Sequence, residues 1–222
     1  MVARVLESGG GVDKFLGDGI LAVWGSLARR DAATEASSAL SCARAMKGAL
    51  VGFNEQRAAA GLQPWKIGIG IHSGDVLFGN IGSEARMEPT VIGDTVNLAS
   101  RIEGLTKSLG VEILFSVSTA ELAAVAGDAR SADRVRVIGR KAPVDLFTFW
   151  PDEFHAADRT AHEAAIAAYR EGRFADAIRA FEDVLSRHPE DGLARILAAR
   201  SAELLAAPPE GLWEGVFVAR SK

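Results

Sequence analysis

Residues 65–72, Trp65-Lys66-Ile67-Gly68-Ile69-Gly70-Ile71-His72, alternate with a period of two. Ile67, Ile69 and Ile71 share one side, and Gly68 and Gly70 the other. A strand that leaves one face without side chains is a strand against which another element packs closely. Upstream, Asp31 precedes a long helix to about Ala60, in which Leu40, Ala43, Met46, Leu50 and Phe53 recur at helical spacing. Gly61 caps that helix and Pro64 forbids its continuation. Earlier still, Val12–Leu16 and Ile20–Trp24 are short apolar runs joined by Gly17-Asp18-Gly19, which predicts a hairpin. Met1–Glu7 reads as the last turns of a helix stopped by Gly9-Gly10-Gly11, and a domain seldom begins with a helix tail, so its beginning is expected upstream of Met1.

Downstream, Val76-Leu77-Phe78 predicts a strand ended by Gly79, and Val91-Ile92-Gly93 a short extended piece. Asp94 is an N-cap candidate for a helix to about Leu109, with Leu98, Ile102, Leu105 and Leu109 as its buried stripe. Glu112–Phe115 reads as a strand, Ser118–Ala126 as a short helix, and 134–138 with 144–149 as a closing strand pair. Helices and strands mix without regular βαβ alternation, so the class is α+β with a mainly antiparallel sheet. After Trp150-Pro151 the composition turns to Ala, Arg and Glu, and helices are expected at about 159–171, 174–187 and 191–206. The expected division is therefore residues 1–150 and 151–222.

The chain has 222 residues, 48% of them hydrophobic and 24% charged, with a net charge of −4. That composition suits a globular chain with a core and excludes global disorder. A slightly acidic balance argues against a broad nucleic-acid surface. One cysteine, Cys42, permits no internal disulfide and reads as packing in the long helix. No apolar stretch approaches the ~20 residues needed to span a bilayer, and no signal-peptide pattern opens the chain, so a soluble, cytoplasmic chain is expected.

Taken alone, Lys14 is a strand-edge lysine reaching water and Asp18 an ordinary turn residue. Together, a cation on a strand and a carboxylate at its tip, beside glycines that admit a ligand, suit a phosphate and its divalent metal. Asn97 and Arg101 stand i,i+4 on one helix face that can border a cleft, and a planar guanidinium there matches phosphoryl oxygens. The glycines of 68–74 are not a dinucleotide fingerprint, because the spacing is wrong and a strand runs into a loop. His72 reads as a structural residue at a strand end.

Three segments coincide with one family. GGGVDKFLGDGILAVWG (9–25), IGIGIHSGDVLFGNIGSEARM (67–87) and TVIGDTVNLASRIEGLTK (90–107) resemble the catalytic domain of class III adenylate and guanylate cyclases. The resemblance covers residues 1 to about 149. It implies a ferredoxin-like α+β domain in a head-to-tail homodimer, with active sites at the interface. It also implies conversion of a nucleoside triphosphate to its 3′,5′-cyclic monophosphate, with two divalent ions, Mg or Mn. By position, Lys14 matches the base-reading lysine and Thr90 the second base-reading residue. Asn97 matches the ribose-orienting asparagine, and Arg101 the arginine that stabilises charge on the α-phosphate. Asp18 matches the second metal-binding aspartate, and Arg140 a basic residue for the terminal phosphates. Lysine donates to adenine N1 and a threonine hydroxyl can accept from N6, which favours ATP over GTP. Threonine can also donate, so that argument rests mainly on Lys14.

The sequence departs from the family pattern in two places. The family's first metal-binding aspartate lies on a strand that would precede Met1, and Pro89 stands where relatives often carry an aromatic residue. The C-terminal helices resemble a tetratricopeptide repeat, with Tyr169, Gly172, Phe174, Ala177, Phe181 and Pro189 at suitable positions; a helical appendage packed on the cyclase is the other reading. Residues 208–217 resemble the end of some bacterial multidomain cyclases, whose upstream region can anchor the parent protein in a membrane. The leading expectation is an adenylate cyclase with ATP as substrate, in signal transduction. The alternative is a catalytically incomplete, cyclase-like dimerisation or protein-interaction module whose helices recruit a partner.

Overall fold

The computed structural model of the chain describes residues 1–26, 30–83 and 86–219. Glu84 and Ala85, within the second quoted segment, lie outside the described residues. A short helix α1 (Val2–Glu7) leads into a hairpin of β1 (Gly11–Leu16) and β2 (Gly19–Val23). Gly17, at φ +63°, opens the two-residue turn where a type II′ hairpin requires glycine, and Asp18 sits at the tip. Helix α2 (Ala32–Ala59) follows, and the Asp31 side chain accepts the Thr34 backbone N–H at its start. Its buried face runs from Ala36 to Leu50, whereas Phe53 is exposed and packs on Trp65 with ring centroids 5.4 Å apart.

Strand β3 (Ile69–Ile71) is shorter than the alternation from Trp65 predicts. It pairs in parallel with β6 (Ile113–Ser116), and no strand among the described residues pairs its other edge. Its two faces behave as the sequence demands. Ile69 and Ile71 pack with Leu40, Ala43, Ile113 and Phe115 beneath α2 and α4 (Val117–Leu122). The glycine face meets α3 (Asp94–Leu109): a Cβ on Gly70 would lie 2.2 Å from the Glu103 backbone nitrogen and 2.5 Å from the Ala99 carbonyl oxygen. Gly93, rather than Asp94, is the N-cap residue of α3, and Asp94 is its first helical residue.

The five-stranded sheet runs β3-β6-β8-β7-β9, with β7 at Arg130–Arg136, β8 at Val144–Thr148 and β9 at Phe217–Val218. It is mixed: β3–β6 and β7–β9 are parallel, β6–β8 and β7–β8 antiparallel. The class is α+β. A second antiparallel hairpin, β4 (Leu77–Ser83) with β5 (Arg86–Ile92), forms its own ribbon in register Leu77↔Ile92. It extends well past the expected stop at Gly79.

Helices α5 (Ala156–Arg170), α6 (Phe174–Arg187) and α7 (Gly192–Ala206) lie within a few residues of their expected bounds. Their apolar faces join the sheet's core. Leu98, Ile102 and Leu109 of α3, Leu114 of β6 and Leu146 of β8 form one buried cluster with Ile166, Tyr169, Phe181, Val184 and Leu197. Buried polar pairs cross the same junction: Arg200 donates to Asp133 on β7, and Arg130 pairs with Asp191. No helix among the described residues is long and apolar enough to cross a membrane.

Candidate functional site

The β1–β2 hairpin carries an irregularity at one residue. Val12 pairs with Ala22 and Lys14 with Leu21, so Asp13 is the extra residue of a bulge. A bulge breaks strict alternation and re-aims a side chain. The Asp13 side chain is only 4% exposed. Its Oδ1 accepts the Val91 backbone N–H at 3.1 Å, and its Oδ2 accepts the Thr90 hydroxyl at 2.8 Å. Lys14 Nζ lies 3.5 Å from the same Oδ2. Lys14 and Thr90, which the resemblance pairs, thus meet at one carboxylate. Asp13 was not among the sequence candidates, although an acid beside a lysine in an apolar strand is a signal that could have marked it.

Further along β5, Gly93 turns the chain into α3, whose first turns carry Asn97 and Arg101. Asn97 is exposed and Arg101 half-buried. Among the described residues no carboxylate pairs with the Arg101 guanidinium. The loop after β7 closes over it: a Cβ on Gly139, at φ +80°, would lie 3.4 Å from Arg101 Nη2. That loop brings Arg140, whose Nε lies 3.3 Å from the Asp94 carboxylate at the start of α3. Two guanidinium groups, Arg101 two turns into α3 and Arg140 near its start, suit an anion with several oxygens.

His72 flanks this region. Its Nδ1 lies 2.8 Å from Ser116 Oγ and 3.2 Å from Ser118 Oγ. Burial, reinforced by Arg140 and opposed by Asp94, lowers its pKa below the ordinary imidazole value. It is a hydroxyl-bound, neutral residue at neutral pH. Asp18 is exposed at the hairpin tip, with no polar partner among the described residues. The described residues contain no group of three ligating side chains. One carboxylate therefore does not make a site for two divalent cations, each of which takes about six oxygen ligands. Cys42 is buried, and that burial pushes its thiol pKa up, away from reactivity.

The structure thus joins Lys14 with Thr90, and Arg101 with the loop that carries Arg140. Asp18 and Asn97 stand on the adjoining turn and helix without joining either cluster.

The profile described as "Adenylate and Guanylate cyclase catalytic domain" matches residues 12–150. The chain is 45% identical over 116 residues to an adenylate cyclase of Anabaena cylindrica, covering 50% of this chain and 22% of that one. It is 31% identical over 138 residues to adenylate cyclase 1 of Rhizobium meliloti, covering 62% and 20%. Among solved structures it is similar to the adenylyl cyclase CyaB from P. aeruginosa, at 30% identity and a TM-score of 0.60, covering 69% of this chain and 79% of that chain. It is also similar to the guanylyl cyclase Cya2, at 34% identity and a TM-score of 0.58, covering 69% and 77%. The chain spans about a fifth of the length of these two sequence relatives.

Proposed function

Because the chain belongs to the adenylate and guanylate cyclase catalytic domain family, we propose that it converts ATP to 3′,5′-cyclic AMP and pyrophosphate, as the lyase step of a cyclic-nucleotide signal. The ribose 3′-oxygen bonds to the α-phosphorus, and its proton passes to water. The α-phosphorus bond to the bridging oxygen breaks, and pyrophosphate departs. The observation that supports this reading most is the meeting of Lys14 and Thr90, from separate hairpins, at the Asp13 carboxylate. Lys14 donates to adenine N1, and Thr90 accepts from N6. Asn97 orients the ribose. Arg101, free of a carboxylate among the described residues, stabilises charge on the α-phosphate in the transition state. Arg140 holds the terminal phosphates once it exchanges Asp94 for them.

We assign Asp18 one metal-ligand position for Mg or Mn, with the other ligands supplied from outside the described residues. A homodimer then has Lys14, Thr90, Asn97 and Arg101 from one protomer and Asp18 from its partner. Exposed Phe15 and Leu16 on the first hairpin, and Leu77, Phe78 and Met87 on the second, supply an apolar surface of the kind that marks association. The domain reading is a cyclase unit over 1–150 and a helical region over 151–222. For the latter, the core shared with the sheet favours an appendage packed on the cyclase over an independent tetratricopeptide-like unit.

The test is the double change Lys14→Glu with Thr90→Cys. It places an acceptor opposite guanine N1–H and removes the adenine-reading ammonium, so cyclic nucleotide formation should shift from ATP towards GTP. An unchanged preference contradicts the base-reading assignment. A second reading, a non-turning-over dimerisation or interaction module, draws on one observation: Asp18 stands without companion ligands among the described residues. Dimerisation with no cyclic AMP formed in Mg or Mn would favour it.

A further inference from the structure

We propose that Asp13 is a specificity-determining positioning residue, which fixes the Thr90 hydroxyl as a hydrogen-bond acceptor and thereby selects adenine over guanine. The inference rests on the reading of Lys14 and Thr90 as the base-recognising pair. A threonine hydroxyl has one hydrogen and two lone pairs, and by itself it suits either purine. Here the hydrogen is committed. It points to Asp13 Oδ2 at 2.8 Å, and the Val91 carbonyl, at 3.4 Å, is the longer and weaker alternative among the described residues. Donation to a carboxylate is the stronger kind of hydrogen bond. With its hydrogen donated to Asp13, the buried Thr90 hydroxyl has only lone pairs left to offer. Adenine presents an N6 donor to them, whereas guanine presents O6, a second acceptor.

The carboxylate cannot turn away. Its Oδ1 is held by the Val91 N–H at 3.1 Å, and its side chain is 4% exposed. It also lies 3.5 Å from Lys14 Nζ, so one group orients both base-reading side chains. An ionised carboxylate is acceptor-only, which sets the polarity of the whole unit. Asp13 touches no reacting atom, and its effect on the base passes through Thr90 and Lys14.

Asp13→Asn reverses that polarity with little change in shape. The amide oxygen must stay on the Val91 N–H, because the opposite flip would set two donors together. The amide nitrogen then faces Thr90, whose oxygen accepts from it, and the hydroxyl hydrogen, left with only the long 3.4 Å contact to the Val91 carbonyl among the described residues, is free to turn to the base. Equilibrium dialysis of ATP and GTP against the full chain, wild type and Asp13→Asn, reads the outcome without requiring turnover. The expected result is a fall of about tenfold or more in the GTP-to-ATP ratio of Kd values, the size of one mispaired polar contact. Equal weakening for both nucleotides would indicate a merely structural role and overturn the inference, as would wild-type binding of neither.

If Asp13→Asn does not fold by circular dichroism, the wild type decides. The triphosphate of 6-methoxypurine riboside keeps the N1 acceptor and replaces the N6 donor with an oxygen. It should bind about tenfold more weakly than ATP, and also more weakly than the triphosphate of unsubstituted purine riboside. Binding as tight as ATP would show a hydroxyl free to donate. Cyclic AMP formation, measured alongside, separates the two readings: ATP preference governed by Asp13 without product formation would reject the cyclase activity and keep this inference.

Discussion

At the level of single residues, the candidate site divides by how its members can be read. Lys14, Thr90, Asn97 and Arg101 are legible because their types and spacing coincide with long family segments. Asp13 is not, because its importance comes from a bulge and from a hydrogen bond 77 residues away in sequence, neither of which has a period. His162 is another case. It reads as one more polar residue of a helix, yet it is fully buried between Ser131 O, 2.8 Å from Nε2, and Arg130 Nη2, 3.1 Å from Nδ1. Burial, with Arg130 adding to it, lowers its pKa to about 3. The unfolded chain therefore binds a proton at this site between about pH 6.5 and 3 that the folded chain refuses. Its contribution is fully present above pH 6.5 and is lost as pH falls. At pH 5.5 the loss is about 1.4 kcal/mol, or about 3–6 °C in Tm. His162→Gln, whose amide can accept from Arg130 and donate to Ser131, should reduce the drop in Tm between pH 7.5 and 5.5 by that amount in thermal melts. The part due to His72, whose pKa is also lowered, should remain. An unchanged slope would remove His162 from the account.

Among the elements, the close approach of α3 to β3 is the contact that the alternating glycines announce. Gly70→Ala drives a Cβ into the backbone of Glu103 and Ala99. It should cost about 1–3 kcal/mol in urea unfolding, or prevent folding altogether. Gly48→Ala is the contrasting case, since it lies inside α2 with nothing within 4 Å of the new Cβ. It should stabilise by about 0.5–1 kcal/mol through helix propensity. Similar effects from both changes would contradict the packing described. The sequence is less informative for the β4–β5 ribbon, because Gly79 and Pro89 look like terminators. In a two-stranded ribbon every strand is an edge, and Pro89 opposite Asn80 leaves the remaining pairs intact. Strand β9 is invisible for a related reason: Phe217 and Val218 have no pattern of their own and gain one only by lying along β7.

For the molecule as a whole, composition marks a change at residue 151, and the packing crosses it. The junction contains Arg200 and Asp133, the latter with a fully buried side chain, and Arg200 also lies 3.6 Å from the centre of the Phe217 ring. Arg200→Ala would strand the Asp133 carboxylate, so global unfolding should lose about 3–5 kcal/mol, with the catalytic segment and the helices melting together. A loss confined to the helices, with residues 1–150 unfolding separately, would restore the independent-domain reading. The central claim is that one surface of this chain carries nucleotide cyclisation, with Arg101 steadying charge at the α-phosphorus. It is tested by cyclic AMP formed from ATP in manganese, measured for the wild type and for Arg101→Ala at matched ATP binding. The account predicts product from the wild type and a fall of about a hundredfold or more in kcat for Arg101→Ala. Equal turnover by the two proteins, or no cyclic AMP from the wild type, would contradict it.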